Sequence, residues 1–266
     1  MTPEQIAAEA ESLFAAEQTR RQRGLISLAH PGATLDDAYA IQAALVARKR
    51  AMGRRQIGWK IGLTSRAMQQ ALNITTPDSG VLLDEMLFAD GAVVPAGRFI
   101  QPRIEAEIAF IMGQDLSGDQ VTPAQVLAAT AAVAPSLEIL DTRIVRADPA
   151  TGITRTLVDT VSDNAANAGL VLGVQRHDPG AVDLRWVGAI LARSGVVEET
   201  GLGAGVLNDP VMGIVWLVHR LSRYGQGLTK GDIVLSGSFI RPVEAPPQSQ
   251  FKADFGPFGH VSISFA

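Results

Sequence analysis

At 266 residues the chain has room for one large domain, or for a core with a smaller attachment, and its 47% hydrophobic and 19% charged residues describe an ordinary globular protein. A formal charge of −4 offers no basic footprint for nucleic acid, and the longest apolar run, at residues 211–218, is far too short to span a bilayer. The absence of cysteine excludes disulfides, thiolate ligands and cysteine nucleophiles, and Met1-Thr2-Pro3-Glu4-Gln5 lacks the basic and apolar regions of a secretory signal, so a soluble cytoplasmic protein is expected.

Thr2-Pro3-Glu4-Gln5 predicts a first helix, supplying an N-cap, a proline at the first helical position and a capping-box partner. Ile6, Leu13 and Phe14 form its apolar stripe, and Gly24 is its expected stop. A second helix is expected from Thr34, with Asp37 as reciprocal cap, through Ile41, Leu45 and Met52 to Gly53. From about Ile57 the chain turns strand-rich, with runs at 57–63, 104–112, 184–191, 233–238 and 261–265 broken by glycine and proline. A late helix begins at Asp209-Pro210 and uses Met212, Val215, Val218 and Leu221 before Gly225. The expectation is an α+β protein, with a helical N-terminal region over 1–56 and a β-rich core over 57–266.

Within the strand at 57–63, alternation sets Ile57, Trp59, Ile61 and Leu63 on one face and Lys60 on the other, between Gly58 and Gly62. That face leaves room for a ligand beside Lys60; a surface lysine on an edge strand would read the same way. Thr64-Ser65 offers a helix start whose backbone N–H groups suit a carboxylate. Thr76-Pro77-Asp78-Ser79-Gly80 has turn composition, which by itself makes Asp78 a turn residue.

Ile104-Glu105-Ala106-Glu107-Ile108 places two carboxylates on the same face of an otherwise apolar strand. Glu138 is a lone carboxylate in the apolar segment Ser136-Leu137-Glu138-Ile139-Leu140. Three such groups meeting at one point make an all-oxygen site for Mg2+ or Mn2+, whereas the Glu-x-Glu pair alone also fits the wet face of an amphipathic strand. In Val161-Ser162-Asp163-Asn164-Ala165-Ala166-Asn167-Ala168-Gly169, Ser162, Asn164 and Asn167 offer neutral donors and acceptors for an oxygen-rich ligand; a polar loop between strands would look similar. His30, His177, His219 and His260 show no metal-ligand spacing. Ser238 can face a site, although serines are common at strand ends.

Gly58-Trp59-Lys60-Ile61-Gly62-Leu63-Thr64-Ser65, Pro77-Asp78-Ser79-Gly80, Pro102-Arg103-Ile104-Glu105-Ala106-Glu107 and the segment 162–169 together resemble the hydratase/decarboxylase branch of the fumarylacetoacetate hydrolase superfamily. The resemblance covers nearly the whole chain, and the order and spacing of these motifs make it specific. Asp148-Pro149-Ala150-Thr151-Gly152 leading to Asp159-Thr160-Val161-Ser162-Asp163-Asn164 is similar to the subgroup that hydrates a seven-carbon 2-oxo-enedioate, as is Val197-Glu198-Glu199-Thr200-Gly201 with Ala204-Gly205-Val206-Leu207-Asn208.

The resemblance implies a rolled, mostly antiparallel β core, a pentameric or decameric homo-oligomer and a 2-oxo or 2-hydroxy dienoate substrate from aromatic catabolism. It implies Glu105, Glu107 and Glu138 as metal ligands and Lys60 and Asp78 in proton transfer, without saying which is acid and which is base. Leu63, Thr64, Ser162, Asn164, Asn167 and Ser238 become expected substrate contacts. Arg143, with Arg146 and Arg155 nearby, is the candidate for a distal carboxylate, although Arg143 paired with Asp141 is the competing assignment. Many relatives carry an aromatic residue where this chain has Ser79. A 2-oxo-3-enedioate decarboxylase, a five-carbon 2-hydroxydienoate hydratase and a non-catalytic subunit of a hydratase–decarboxylase assembly are the competing functions. An acid at position 78, typically apolar in the decarboxylases, favours hydration.

Overall fold

The computed structural model describes residues 1–71 and 74–266. Helices α1 (Pro3–Thr19), α2 (Ile26–Ala29) and α3 (Leu35–Ala51) open the chain, followed by β1 (Gln56–Gly62), α4 (Arg66–Ala71), β2 (Asp78–Leu83), β3 (Leu87–Phe88) and β4 (Val93–Val94). Next come β5 (Arg103–Met112), α5 (Pro123–Ala129), β6 (Thr130–Leu140), α6 (Leu157–Ser162), β7 (Asn167–Leu172), β8 (Gly188–Arg193) and β9 (Val196–Leu202). The chain finishes with α7 (Pro210–Ser222), β10 (Ile233–Ser238), β11 (Val243–Glu244), β12 (Gln250–Asp254) and β13 (His260–Phe265).

Both expected capping boxes form. The Thr2 amide donates to Gln5 Oε1 at 2.8 Å, and the Thr34 amide donates to Asp37 Oδ2 at 2.8 Å, each answered by a bond from the third residue's amide to the threonine hydroxyl. The first helix stops at Thr19 rather than Gly24, because Arg20 takes a left-handed conformation (φ 57°) and closes the last turn. Leu13 and Phe14 of α1, Ile26 of α2 and Ile41 and Leu45 of α3 make a small hydrophobic core of their own, joined by Ile144 and Val158 from the later chain. The opening helices are thus seated on the segment between β6 and α6.

The β strands form two sheets. The larger runs β2-β1-β10-β5-β6-β7-β3 with β11 against β5, and the smaller runs β4-β13-β12-β8-β9. Most pairings are antiparallel; β1 with β10, β3 with β7 and β4 with β13 are parallel. One continuous core containing Phe110, Leu137, Leu191, Val218, Phe251 and Ile263 joins the sheets to α5 and α7. Each large apolar side chain so buried contributes roughly 1.5–3 kcal/mol. Asp209 caps α7 through the Val211 amide at 3.0 Å, ahead of Pro210, as its sequence predicts.

The expected strand at 184–191 is divided: Leu184–Trp186 is a 3-10 turn held by the Asp183 side chain, and the strand proper begins at Gly188. Among the described residues no helix is long and apolar enough to cross a membrane.

After α6 the backbone turns through three consecutive left-handed residues, Asn164, Ala165 and Ala166 (φ 51°, 52° and 59°). This turn brings Asn164 against the outer edge of β2. Its Oδ1 accepts from the Val81 amide at 2.8 Å and its Nδ2 donates to the Val81 carbonyl at 2.9 Å. A side chain therefore does for this edge what a further strand would do. Asn164→Ala would strand both Val81 groups in a buried position, at about 1–3 kcal/mol each. A fall in the urea midpoint equivalent to several kcal/mol is expected, and an unchanged midpoint would show that the clamp contributes nothing.

Candidate active site

The register of β5 on β6 builds the acidic centre. Glu105 lies directly opposite Glu138, and Glu107, one same-face step along β5, lies opposite Ser136. An oxygen from each of the three glutamates lies within 4.8 Å of the others; Glu107 and Glu138 are buried and Glu105 is half-buried. Like charges placed opposite each other on neighbouring strands are unfavourable, so the arrangement requires compensation.

Part of that compensation is visible. The Gly237 amide donates to Glu107 Oε2 at 2.7 Å and Asn167 Nδ2 donates to Glu138 Oε1 at 2.8 Å. Gly237 has φ 117° and lies so close to the Thr64 side chain that a Cβ there would collide with it, so glycine is required. Glu107 Oε1 and Glu138 Oε2 are buried and have no donor. Burial, followed by the charge of Glu138, raises the Glu105 pKa to about 8 and drives that of Glu107 well above its usual range. Three carboxylates, two unpartnered buried oxygens and an all-oxygen donor set fit a hard divalent cation.

Lys60 projects from β1 with its Nζ 3.4 Å from Glu138 Oε1, and only 3% of the residue is exposed. Burial works against its charge, but Glu138, Asp78, Glu105 and Glu107 outweigh it and raise the pKa above that of a free lysine. Asp78 is not a turn residue. It opens β2 and pairs across to Gly62 of β1, while Gly80 pairs to Lys60. Its carboxyl is raised by burial, against the pull of Lys60, and its Oδ1 has no donor. A Cβ on Gly62 would sit on Asp78 Oδ1 and 2.9 Å from Lys60 Nζ; the glycine makes the meeting of acid and base possible.

These groups border a cavity of about 230 Å³ lined by Lys60, Leu63, Thr64, Asp78, Glu105 and Ser238 among others. Leu63 is not on the apolar face of β1 as alternation suggested. The strand ends at Gly62 and Leu63 turns left-handed (φ 57°), toward the cavity. Ser238 faces the same space, its hydroxyl donating to the Ile240 carbonyl at 2.9 Å.

The remaining expected contacts are placed elsewhere. Asn164 is committed to Val81, and Asn167 is bonded to a glutamate, with its Oδ1 free of partners. Ser162 is fully buried at the end of α6 with an unpartnered hydroxyl, outside the cavity walls. Arg143 is also outside them: its guanidinium is bonded to the Asp163 carboxylate, the Asp141 carbonyl at 2.9 Å, the Asn167 carbonyl at 3.1 Å and the Asp163 carbonyl at 2.6 Å. The arginines lining the cavity are Arg103, Arg155 and Arg241. Arg103 was readable, since the alternation that pairs Glu105 with Glu107 also puts residue 103 on that face.

No protein-family model matches the chain. It is 48% identical over 256 residues to 2-oxo-hept-4-ene-1,7-dioate hydratase of Escherichia coli, covering 96% of each chain. It is 39% identical over 265 residues to 2-keto-4-pentenoate hydratase of Paraburkholderia xenovorans, covering 100% of this chain and 96% of that one. The solved 4-oxalocrotonate decarboxylase from Pseudomonas putida G7, complexed with magnesium and adipate, superposes with a TM-score of 0.94 at 31% identity over 100% of this chain and 99% of that one. Identity of this order along the full length, on a shared fold with an acidic centre, means that the chain belongs to the hydratase/decarboxylase branch of the fumarylacetoacetate hydrolase superfamily, among its hydro-lyases.

Proposed function

We propose that this protein is a Mg2+- or Mn2+-dependent hydratase that adds water to a 2-hydroxy-2,4-dienoate or its 2-oxo-enoate tautomer during the breakdown of aromatic compounds. The preferred reaction is hydration of 2-oxo-hept-4-ene-1,7-dioate to 4-hydroxy-2-oxoheptanedioate. One observation carries the reading: three carboxylates, two of them with an orphaned buried oxygen, converge beside a buried lysine and a buried aspartate, and Glu105, Lys60 and Asp78 open onto one cavity. The dioate named for the 48%-identical relative and the adipate held by the 31%-identical decarboxylase support a dicarboxylate.

Glu105, Glu107 and Glu138 would hold the cation, which when bound supplies Lewis acidity toward the substrate's 2-oxygen. Lys60 and Asp78 move the protons. The ammonium of Lys60, desolvated in the cavity wall, faces the carboxylates and donates toward the far carbon of the dienol, leaving an enone conjugated to the 2-oxo group. Asp78, whose carboxyl is raised by burial, takes a proton from the water that attacks carbon 4 and delivers it to carbon 3, while the proton leaving the 2-hydroxyl replaces the one that Lys60 gives up. Asn167 fixes Glu138 through a direct bond, and Gly237 fixes Glu107. Exposed Trp186, Ile190 and Leu202 border a separate apolar hollow on β8 and β9, surface that suits assembly into the pentamer or decamer expected of the family; sedimentation velocity tests this.

Glu107→Gln removes one ligand charge and is expected to weaken Mg2+ binding and lower turnover by at least ~100-fold while the protein stays folded. Chelator-treated wild type that keeps full activity with no metal restored would remove the metal from the reaction. The pH dependence follows from the raised carboxyls. In the cation-free protein Glu105 titrates at about 8 against a reference value of 4.5, so folding binds a proton and stability declines as pH rises from 4.5 toward 8. Cation binding must expel that proton. Apparent Mg2+ affinity is therefore expected to rise by at least roughly tenfold per pH unit up to about 8, one proton coming from Glu105 and a further contribution from the raised Glu107 carboxyl. Titration calorimetry at pH 6.5, 7.5 and 8.5 measures this, and an affinity independent of pH contradicts the assignment.

Asp78→Asn is expected to cut kcat by ~10²–10⁴-fold while leaving the affinity for an unreactive 2-oxo acid within a few-fold, because the acidic centre is intact. Near-normal turnover in Asp78→Asn would reduce Asp78 to a strand residue.

A further inference from the structure

The cavity carries positive charge that metal binding and proton transfer do not use. Arg103, Glu105 and Glu107 follow one another on the same face of β5, so one guanidinium stands about 7 Å along the strand from the first metal carboxylate. Arg155 reaches the same cavity from the loop between β6 and α6. That loop is braced at both sides of Arg155: its amide donates to the Arg146 carbonyl at 2.9 Å, and Asp159 caps α6 through the Thr156 amide at 2.8 Å.

Among the described residues neither Arg103 nor Arg155 makes an ion pair. The side-chain bond recorded for Arg155 is a long one, from its terminal nitrogen to the Ile144 carbonyl at 3.4 Å. The acids nearby are engaged elsewhere. Asp163 is held by Arg143, and Asp159 by Ser27 Oγ at 2.6 Å and by Thr156. Arg241 also lines the cavity but is bound to Glu199, with Nε at 2.9 Å. Burial and the neighbouring charge of Arg103 both disfavour the Arg155 cation. Asp163 and Asp159 favour the Arg155 cation, and Arg103 acts on Glu105, but only from a distance, so two half-buried guanidiniums share a wall with no directly paired anion, and a guanidinium matches a carboxylate with two parallel bonds.

We propose that Arg155, backed by Arg103, forms the subsite for the second carboxylate of the substrate. The inference rests on the hydratase reading above and adds the device that selects a dioate over a monoacid. The substrate lies along β5, its 2-oxo acid end at the glutamates and Lys60, its far carboxylate at the arginines. Arg143, fully committed to Asp163 and backbone carbonyls, holds the loop and reads nothing.

The test compares kcat/KM for 2-oxo-hept-4-ene-1,7-dioate and 2-hydroxypenta-2,4-dienoate, with the same metal and pH, on wild type, Arg155→Gln and Arg241→Gln. Arg155→Gln is expected to lower the dioate-to-monoacid ratio by roughly ten- to a hundredfold, mainly through KM, and Arg241→Gln to move it far less. Calorimetry of Mg2+-loaded protein with pimelate and heptanoate gives a readout independent of turnover: Arg155→Gln should lose the preference for pimelate. An unchanged ratio and an unchanged pimelate preference in Arg155→Gln would overturn the subsite, as would a collapse confined to Arg241→Gln. Wild type that binds pimelate through Arg155 yet hydrates neither substrate would leave the subsite standing and overturn the hydratase reading.

Discussion

Everything at this site depends on the forced proximity of three carboxylates on adjacent strands. At the separation observed, an ionised pair repels by roughly 3 kcal/mol at an effective dielectric of about 20, and three pairs repel together. Burial and this mutual repulsion push the Glu105 and Glu107 carboxyls far up, and the Lys60 ammonium turns toward Glu138. The β5–β6 pairing that imposes this runs in unbroken register from Arg103 to Ile111, while the irregularities lie in the outer pairings, at Gly237 of β10 and after Ile139 of β6. A rigid scaffold that cannot separate the charges is what would suit the site to a small ion of high charge.

The same economy governs β1. Its apolar side chains Trp59 and Ile61 enter the core, while Gly62 clears the opposite face beside Lys60 and Gly58 lets β10 approach at Ile233. Antiparallel pairing with β2 then delivers Asp78 to the space above Gly62. Acid and base are therefore placed by sheet register, and the register is protected at the outer edge of β2 by Asn164. A polar residue that looks like a ligand contact acts two steps away from the chemistry, on the strand that carries it.

Much of this was legible before folding, and what was not has physical reasons. Alternation within one strand is local, so the shared face of Glu105 and Glu107 and the isolation of Lys60 follow from their immediate neighbours, as do the threonine caps of α1 and α3. That Glu138 sits opposite Glu105 is a matter of long-range register, for which the segment around Glu138 holds only the hint of a lone charge among apolar residues. Turn composition misplaced Asp78 because Pro77 ends the loop one residue earlier than the Asp-Ser-Gly pattern suggests, and pairing with β1 takes over from there. Arg143 and the asparagines at 164 and 167 have the chemistry of ligand contacts, but burial obliges them to satisfy the nearest backbone or carboxylate first.

The charges of the cavity form an ordered series: Arg155 and Arg103, then Glu105, then Glu107 and Glu138 with Lys60 against them. The acidic end suits a cation and the basic end an anion, and the two meet on β5 where Arg103 lies one same-face step from Glu105 and favours its ionised form. On the proposed reading, a metal ion and a dianionic substrate would together supply the complementary charges. Binding would then be driven at its two ends by groups that the fold has already desolvated, and the carbons undergoing hydration would be held between them, under Lys60 and Asp78.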